Sequence, residues 1–157
     1  MLKRKQDGAP PDPSAATGSA EVTYLELSFA KVPIFSACTP DELLHVAGAT
    51  SLRTANAGDD VITEGELDAR EFFVILKGEA QVTRGGRAVG TLVPGEFFGE
   101  LALFDPAPRN ATVTATTELS LAVLSHASFR DALAEEPIRD SVLTGMARRL
   151  HDLDARF

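Results

Sequence analysis

The spacing of apolar residues changes twice along the chain, from helical to alternating and back again. Val22, Leu25, Phe29 and Ala30 recur at helical spacing between Val22 and Lys31, and Pro33 closes that segment. Thr39-Pro40-Asp41-Glu42 then reads as a capping box, with Thr39 as N-cap, Pro40 at the first helical position and Glu42 reaching back to the cap. Leu43, Leu44 and Val46 carry this second helix to Gly48. From Ala49 to Ser125 the pattern becomes a series of short strands punctuated by Gly58, Gly65, Gly78, Gly85-Gly86 and Pro94-Gly95. Phe72 to Leu76 is apolar at every position, which places that strand between two apolar layers, whereas Ala80 and Val82 alternate with Glu79, Gln81 and Thr83. Gly85-Gly86 predicts a hairpin turn. Ala111, Val113 and Ala115 alternate with Thr112, Thr114 and Thr116, so a threonine-lined face points at either solvent or a ligand; Leu119, Leu121 and Val123 make the last strand.

Helical spacing returns at His126, which starts a helix containing Phe129 and Leu133. Pro137 restarts a helix at its first position, and Ile138, Val142, Met146, Leu150 and Leu153 form an apolar stripe. About eighteen helical residues span roughly 27 Å, enough to cross the mouth of a small β-barrel. Leu143, Met146, Leu150 and Leu153 also fit a short heptad seam, which predicts a monomer or a weak dimer through this helix. The expected class is mainly β with flanking helices.

Composition changes this picture only at the start of the chain. Residues 6–20 carry three prolines and no large apolar side chain, so residues 1–20 are expected to be a disordered tail ahead of a single domain at 21–157. Lys3, Arg4 and Lys5 at its head read as a solvated terminus. The 157 residues are 44% apolar and 24% charged, ordinary for one soluble globule. No apolar run approaches a membrane span and no apolar leader follows Lys5, so a cytoplasmic protein without membrane contact is expected. The net charge is −8; beyond residue 20, 12 basic stand against 21 acidic residues, about −9. Such a surface repels nucleic acid, and it makes any bound anion depend on a local positive focus.

One stretch supplies that focus. In Gly95 to Val113, Gly99 precedes a short apolar run able to make only one or two helical turns, whose first backbone N–H groups can face an anion. Arg109 follows a loop bracketed by Pro106 and Pro108 and offers a planar cationic fork suited to phosphate oxygens. Glu100 cannot bind phosphate, but it can accept hydrogen bonds from sugar hydroxyls beside it. Phosphate plus ribose indicates a nucleotide. The competing reading of Glu100 and Arg109 is a structural ion pair holding a loop.

Phe98-Gly99-Glu100-Leu101-Ala102-Leu103 followed by Arg109-Asn110-Ala111-Thr112-Val113 resembles the phosphate-binding cassette of cyclic nucleotide-binding domains, as in protein kinase A regulatory subunits, the catabolite activator protein and cyclic-nucleotide-gated channels. Glu64-Gly65-Glu66, Phe72 to Leu76 and Gly78 resemble the family's strand and turn signature, and the likeness extends over roughly residues 30–155. The resemblance implies an eight-stranded antiparallel jelly-roll barrel with N-terminal helices and a C-terminal lid helix. It implies that Glu100 binds the ribose 2′-hydroxyl and Arg109 the phosphate, with backbone around Gly99, Leu101, Ala102, Asn110 and Ala111 completing the shell. Arg148 and Arg149 are candidates for capping the base from the lid. Asn110 stands where family members favouring guanine commonly carry Thr or Ser, so cyclic AMP is the expected ligand, with cyclic GMP weaker.

Enzyme readings fail on residue type. A metal-dependent jelly-roll wants a His-x-His pair on a strand, and His45, His126 and His151 fall outside the strands. There is no Gly-x-Ser-x-Gly elbow, and Cys38 has no base near it in sequence, so neither catalysis, metal nor cofactor is expected. With the chain ending at Phe157, the expectation is a stand-alone sensor that signals to an unidentified effector protein; the other reading is a ligand-free jelly-roll used for protein interaction.

Overall fold

The structure, a computed structural model, describes residues 19–105 and 107–154, with side chains described over 24–105 and 107–152. Residues 1–18 of the tail expected at 1–20, and the side chain of Leu153, lie outside the described residues. Helix α1 (Ser19–Ala30) begins inside the expected tail; α2 is Pro40–Gly48, α3 His126–Leu133 and α4 Glu136–Asp154. Among the described residues the strands are β1 (Ser51–Ala55), β2 (Asp60–Ile62), β3 (Glu71–Lys77), β4 (Ala80–Arg84), β5 (Arg87–Leu92), β6 (Phe97–Phe98), β7 (Thr112–Ala115) and β8 (Leu119–Ser125).

The strands pair antiparallel in two four-stranded sheets, ordered β1-β8-β3-β6 and β2-β7-β4-β5. The expected closure into a barrel is not seen among the described residues. β1, β6, β2 and β5 are the open edges, and with three residues in β2 and two in β6 each seam has little backbone to offer for further pairing. The two inner faces instead pack on each other, joining Ile62, Ala80, Val113 and Ala115 of one sheet to Phe73, Ile75, Leu119 and Leu121 of the other.

β3 carries both layers, as its unbroken apolar run requires. It pairs with β8 in the register Phe73↔Val123, so Phe73 and Ile75 enter the core between the sheets while Phe72 and Val74 face the helices. Phe72 meets Phe29, Phe35 and Phe97 at ring-centroid distances of 5.8, 6.5 and 5.9 Å. Burying one such ring contributes about 1.5–3 kcal/mol. The threonine face of β7 turns outward: Thr112 accepts from the Glu64 N–H, and Thr114 donates to Asp60 at 2.6 Å. Ala111, Val113 and Ala115 are the buried partners of that alternation.

α2 starts with the capping box, Glu42 N–H donating to Thr39 Oγ1 at 3.2 Å and Thr39 N–H to Glu42 Oε1 at 2.9 Å. Gly85 and Gly86 make the β4–β5 hairpin with φ of 59° and 79°, conformations that glycine adopts without a Cβ penalty. α4 includes Pro137 as its second residue and buries Ile138 and Val142, but Leu143 and Leu150 stay exposed. It does not cross the sheets as the stripe predicted. It rests on the 3₁₀ turn Pro33–Phe35, where Gly145 lets the two backbones touch: a Cβ there would lie 2.5 Å from the Ile34 carbonyl oxygen.

Candidate functional site

β6 delivers the chain to Gly99, which sits at φ 83° and starts the 3₁₀ helix Glu100–Leu103. Left-handed backbone strains any residue with a Cβ, and here a Cβ would also crowd the site, lying 2.6 Å from Arg109 Nη1 and 3.0 Å from the Glu71 carbonyl oxygen. The chain then loops back to Arg109. The segment before β3 clamps that residue from both sides: the Gly65 N–H donates to the Arg109 carbonyl at 2.7 Å, and the Arg109 N–H donates to the Glu66 carbonyl at 3.0 Å.

Arg109 is buried, with 9% of the residue exposed. Its Nη2 donates to the Glu71 carbonyl at 2.9 Å, its guanidinium lies 5.9 Å from the Phe73 ring centroid, and Nε is buried without a partner. The Glu71 carboxylate is taken by Arg53, at 2.6 and 3.2 Å. Among the described residues no carboxylate pairs with Arg109. Burial lowers its pKa, and the fields of Glu66 and Glu71 oppose that shift; a guanidinium stays charged even so. A buried cation lacking a counter-ion is an arrangement that an anion completes.

Glu100 is not that counter-ion, which removes the reading of Glu100 and Arg109 as a structural pair. Its Oε1 accepts from Arg149 Nη1 at 3.3 Å, and its Oε2 is buried with no partner. Burial raises the Glu100 pKa, with Arg149 pulling it back down.

Gly99, Glu100, Leu101, Ala102, Arg109, Asn110 and Ala111 all line one cavity of about 380 Å³, within the range of small-ligand sites. Its other wall is apolar, from Ile62, Val82, Leu92, Phe98 and Val113. Arg84, Arg109, Glu100 and Asp105 beside these apolar side chains suit a ligand with a polar head and a flat ring. Arg148 and Arg149 do not line this cavity. Arg148 is turned towards the Ser36 carbonyl, at 3.4 Å, on the helical side, and Arg149 is engaged with Glu100.

Arg84 was not anticipated. It lines the cavity, and its Nε donates to the Asn110 carbonyl at 3.0 Å. The signal was present in the alternation of Ala80, Val82 and Arg84, which puts all three on one face of β4. The role of the Glu71 carbonyl had no such signal, because any residue type supplies one.

Residues 52–136 match the cyclic nucleotide-binding domain family. The chain belongs to that family. A cAMP-dependent protein kinase regulatory subunit of Yarrowia lipolytica is 42% identical over 113 residues, covering 70% of this chain and 29% of the relative. The chain spans under a third of the length of this and other protein kinase regulatory subunits that it matches. The N-terminal domain of a transcriptional regulator from Streptomyces coelicolor A3(2) superposes with a TM-score of 0.73 at 29% identity, covering 83% of this chain and 94% of that one. A cAMP-bound PfPKA-R structure superposes with a TM-score of 0.62 at 28% identity, covering 87% of this chain and 48% of that one.

The remaining chemistry of this cyclic nucleotide-binding domain is quiet. Cys38 is half-buried, and burial together with Glu42 pushes its thiol up to about 11, too high for a reactive thiolate at neutral pH. His126 Nδ1 donates to the Leu103 carbonyl at 2.8 Å, a helix-start contact. Among the described residues no group of three or more His, Cys, Asp or Glu is placed to hold a metal, and no helix is long and apolar enough to cross a membrane.

Proposed function

We propose that this domain is a non-catalytic sensor of 3′,5′-cyclic AMP, with cyclic GMP a weaker ligand. The observation that carries the proposal is the buried, unpaired Arg109 guanidinium sharing one cavity with the unpartnered Oε2 of Glu100. In this reading the ring phosphate lies against Arg109 and the backbone of Gly99, Leu101, Ala102, Asn110 and Ala111. Glu100 accepts from the ribose 2′-hydroxyl, and the base lies along Val82 and Leu92. Arg84 adds a second cation near Asn110, which favours an anionic ligand further.

The signal leaves through α4. In the present form Leu150 is 62% exposed, and Leu101 on the cassette is 59% exposed. A ligand that draws α4 over the cavity covers both, and it shifts the helix only as far as it binds the closed form better. We place the domain in the cytoplasm and its output on an effector protein that reads the position of this helix.

Calorimetric titration of the purified chain with cyclic AMP, cyclic GMP and linear 5′-AMP tests the proposal. Saturable binding in the order cyclic AMP, then cyclic GMP, then 5′-AMP supports it. Tighter cyclic GMP binding overturns the base preference alone. No heat and no thermal stabilisation with any of the three leaves a ligand-free interaction module.

A further inference from the structure

We infer that Arg53 is a positioning residue for the anion seat: by gripping both oxygens of the Glu71 carboxylate it keeps that acid off Arg109 and leaves the Arg109 fork open to the ligand's phosphate. The inference rests on the cyclic nucleotide reading above, and it gives a role in binding to a residue that does not line the cavity.

Glu71 stands close enough to Arg109 to compete with a ligand. Its backbone carbonyl accepts from Arg109 Nη2 at 2.9 Å, so its side chain is rooted beside the guanidinium. Side chains alternate along a strand, so Glu71 leaves β3 on the same face as Phe73, and the Arg109 guanidinium lies 5.9 Å from the centroid of that ring. The field of Glu71 already reaches Arg109, opposing the effect of burial on its pKa. A buried cation attracts a nearby carboxylate, and Nε of Arg109 is buried without a partner. A free Glu71 carboxylate would therefore close on Arg109, and each closure would exclude phosphate.

Arg53 prevents this from β1. Its Nη2 donates to Glu71 Oε2 at 2.6 Å and its Nη1 to Oε1 at 3.2 Å, the paired contact to which a guanidinium is suited. The same guanidinium lies 5.6 Å from the Phe73 centroid, so the two arginines share one ring while only Arg53 takes the acid. β1 and β3 both pair with β8, which fixes the distance over which Arg53 must reach. The other acid whose field reaches Arg109, Glu66, is turned back to the Thr63 N–H at 3.3 Å. Exposed ion pairs add little to stability, and the side chains of Arg53 and Glu71 are 45% and 36% exposed, so stability alone is a weak reason for this pair.

The test titrates the full chain with cyclic AMP by calorimetry, comparing wild type with Arg53→Gln, Arg53→Lys, Glu71→Gln and the double variant Arg53→Gln/Glu71→Gln. Arg53→Gln should weaken binding by roughly 10-fold, the scale of one charge-assisted hydrogen bond surrendered to a competitor. Arg53→Lys keeps the charge but not the paired grip, and should fall between the two. Glu71→Gln alone should strengthen binding by less than about 3-fold, because the carboxylate it removes is already engaged. The double variant should return to within about 3-fold of wild type, because the acid that Arg53 restrains is gone. A long-range effect of the two charges gives another pattern, in which Glu71→Gln strengthens binding as much as Arg53→Gln weakens it and the effects add. That pattern overturns the inference. So does a double variant as weak as Arg53→Gln, which would make Arg53 a structural support, and so does an Arg53→Gln affinity equal to that of wild type; all three leave the cyclic nucleotide reading standing. Wild type that binds no cyclic AMP overturns both. Thermal melts establish that each variant is folded at the temperature of titration.

Discussion

A methyl group on Gly99 would lie 2.6 Å from Arg109 Nη1, so the glycine is part of the arginine's seat. Gly99→Ala should therefore do two things. Left-handed backbone at φ 83° should cost about 1–2 kcal/mol of stability, and the displaced guanidinium should weaken cyclic AMP binding. Gly58→Ala is the control, since Gly58 has φ 94° with open space around it and does not line the cavity. It should show a similar loss on thermal melting with no change in affinity. Equal affinities in the two variants would mean that Arg109 tolerates crowding and that Gly99 serves the backbone alone.

Glu100 gives a pH signature in the ligand-free protein. Its folded pKa is raised above the usual 4.5, chiefly by burial, so folding favours the protonated acid. Stability from this group is therefore present below the usual carboxylate range and lost as pH rises through the raised folded value. Glu100→Gln removes the buried charge, so the variant should melt above wild type at pH 7–8 and the gap should close towards pH 4. A glutamine variant less stable than wild type at neutral pH would show that the Arg149 pair outweighs the burial.

Gly145→Ala tests the seat of α4. In an exposed helix this change ordinarily stabilises by about 1 kcal/mol through helix propensity. Here the new Cβ would lie 2.5 Å from the Ile34 carbonyl oxygen and 3.1 Å from that of Pro33, both rigid backbone atoms. Crowding should win. The variant should melt lower, and amide exchange should quicken in α4 and in Pro33–Phe35 while β3 and β8 stay protected. A rise in melting temperature would show that the helix can move off the turn at little cost.

The parts of the fold legible in the sequence were those set by local chemistry. Thr39 to Glu42 had to cap a helix, Gly85-Gly86 had to turn a hairpin, and the unbroken run from Phe72 to Leu76 had to lie between two apolar layers. The stretch from Gly99 to Ala111 stood out through its resemblance to a known family, and the residues it named line one cavity. What escaped depends on long-range placement. The threonine alternation of β7 predicted a face but not its direction, which pairing with β2 and β4 decided. In the present form Arg149 reaches Glu100, 49 residues away, because the Gly145 contact seats its helix against the Pro33–Phe35 turn, a placement that the apolar stripe alone does not specify. The hold of Glu71 on Arg109 is a backbone carbonyl 38 residues away, which no side-chain pattern announces.

The central claim is that a buried guanidinium without a counter-ion is waiting for a cyclic phosphate, and Arg109→Ala tests it most directly. Truncating one partner of a buried charge pair costs about 2–5 kcal/mol, or roughly 30-fold to several-thousand-fold in affinity. Side-by-side calorimetric titration of wild type and Arg109→Ala with cyclic AMP, on protein shown by melting to be folded, should give a loss in that range. Arg109→Ala binding cyclic AMP with the wild-type Kd would contradict the account.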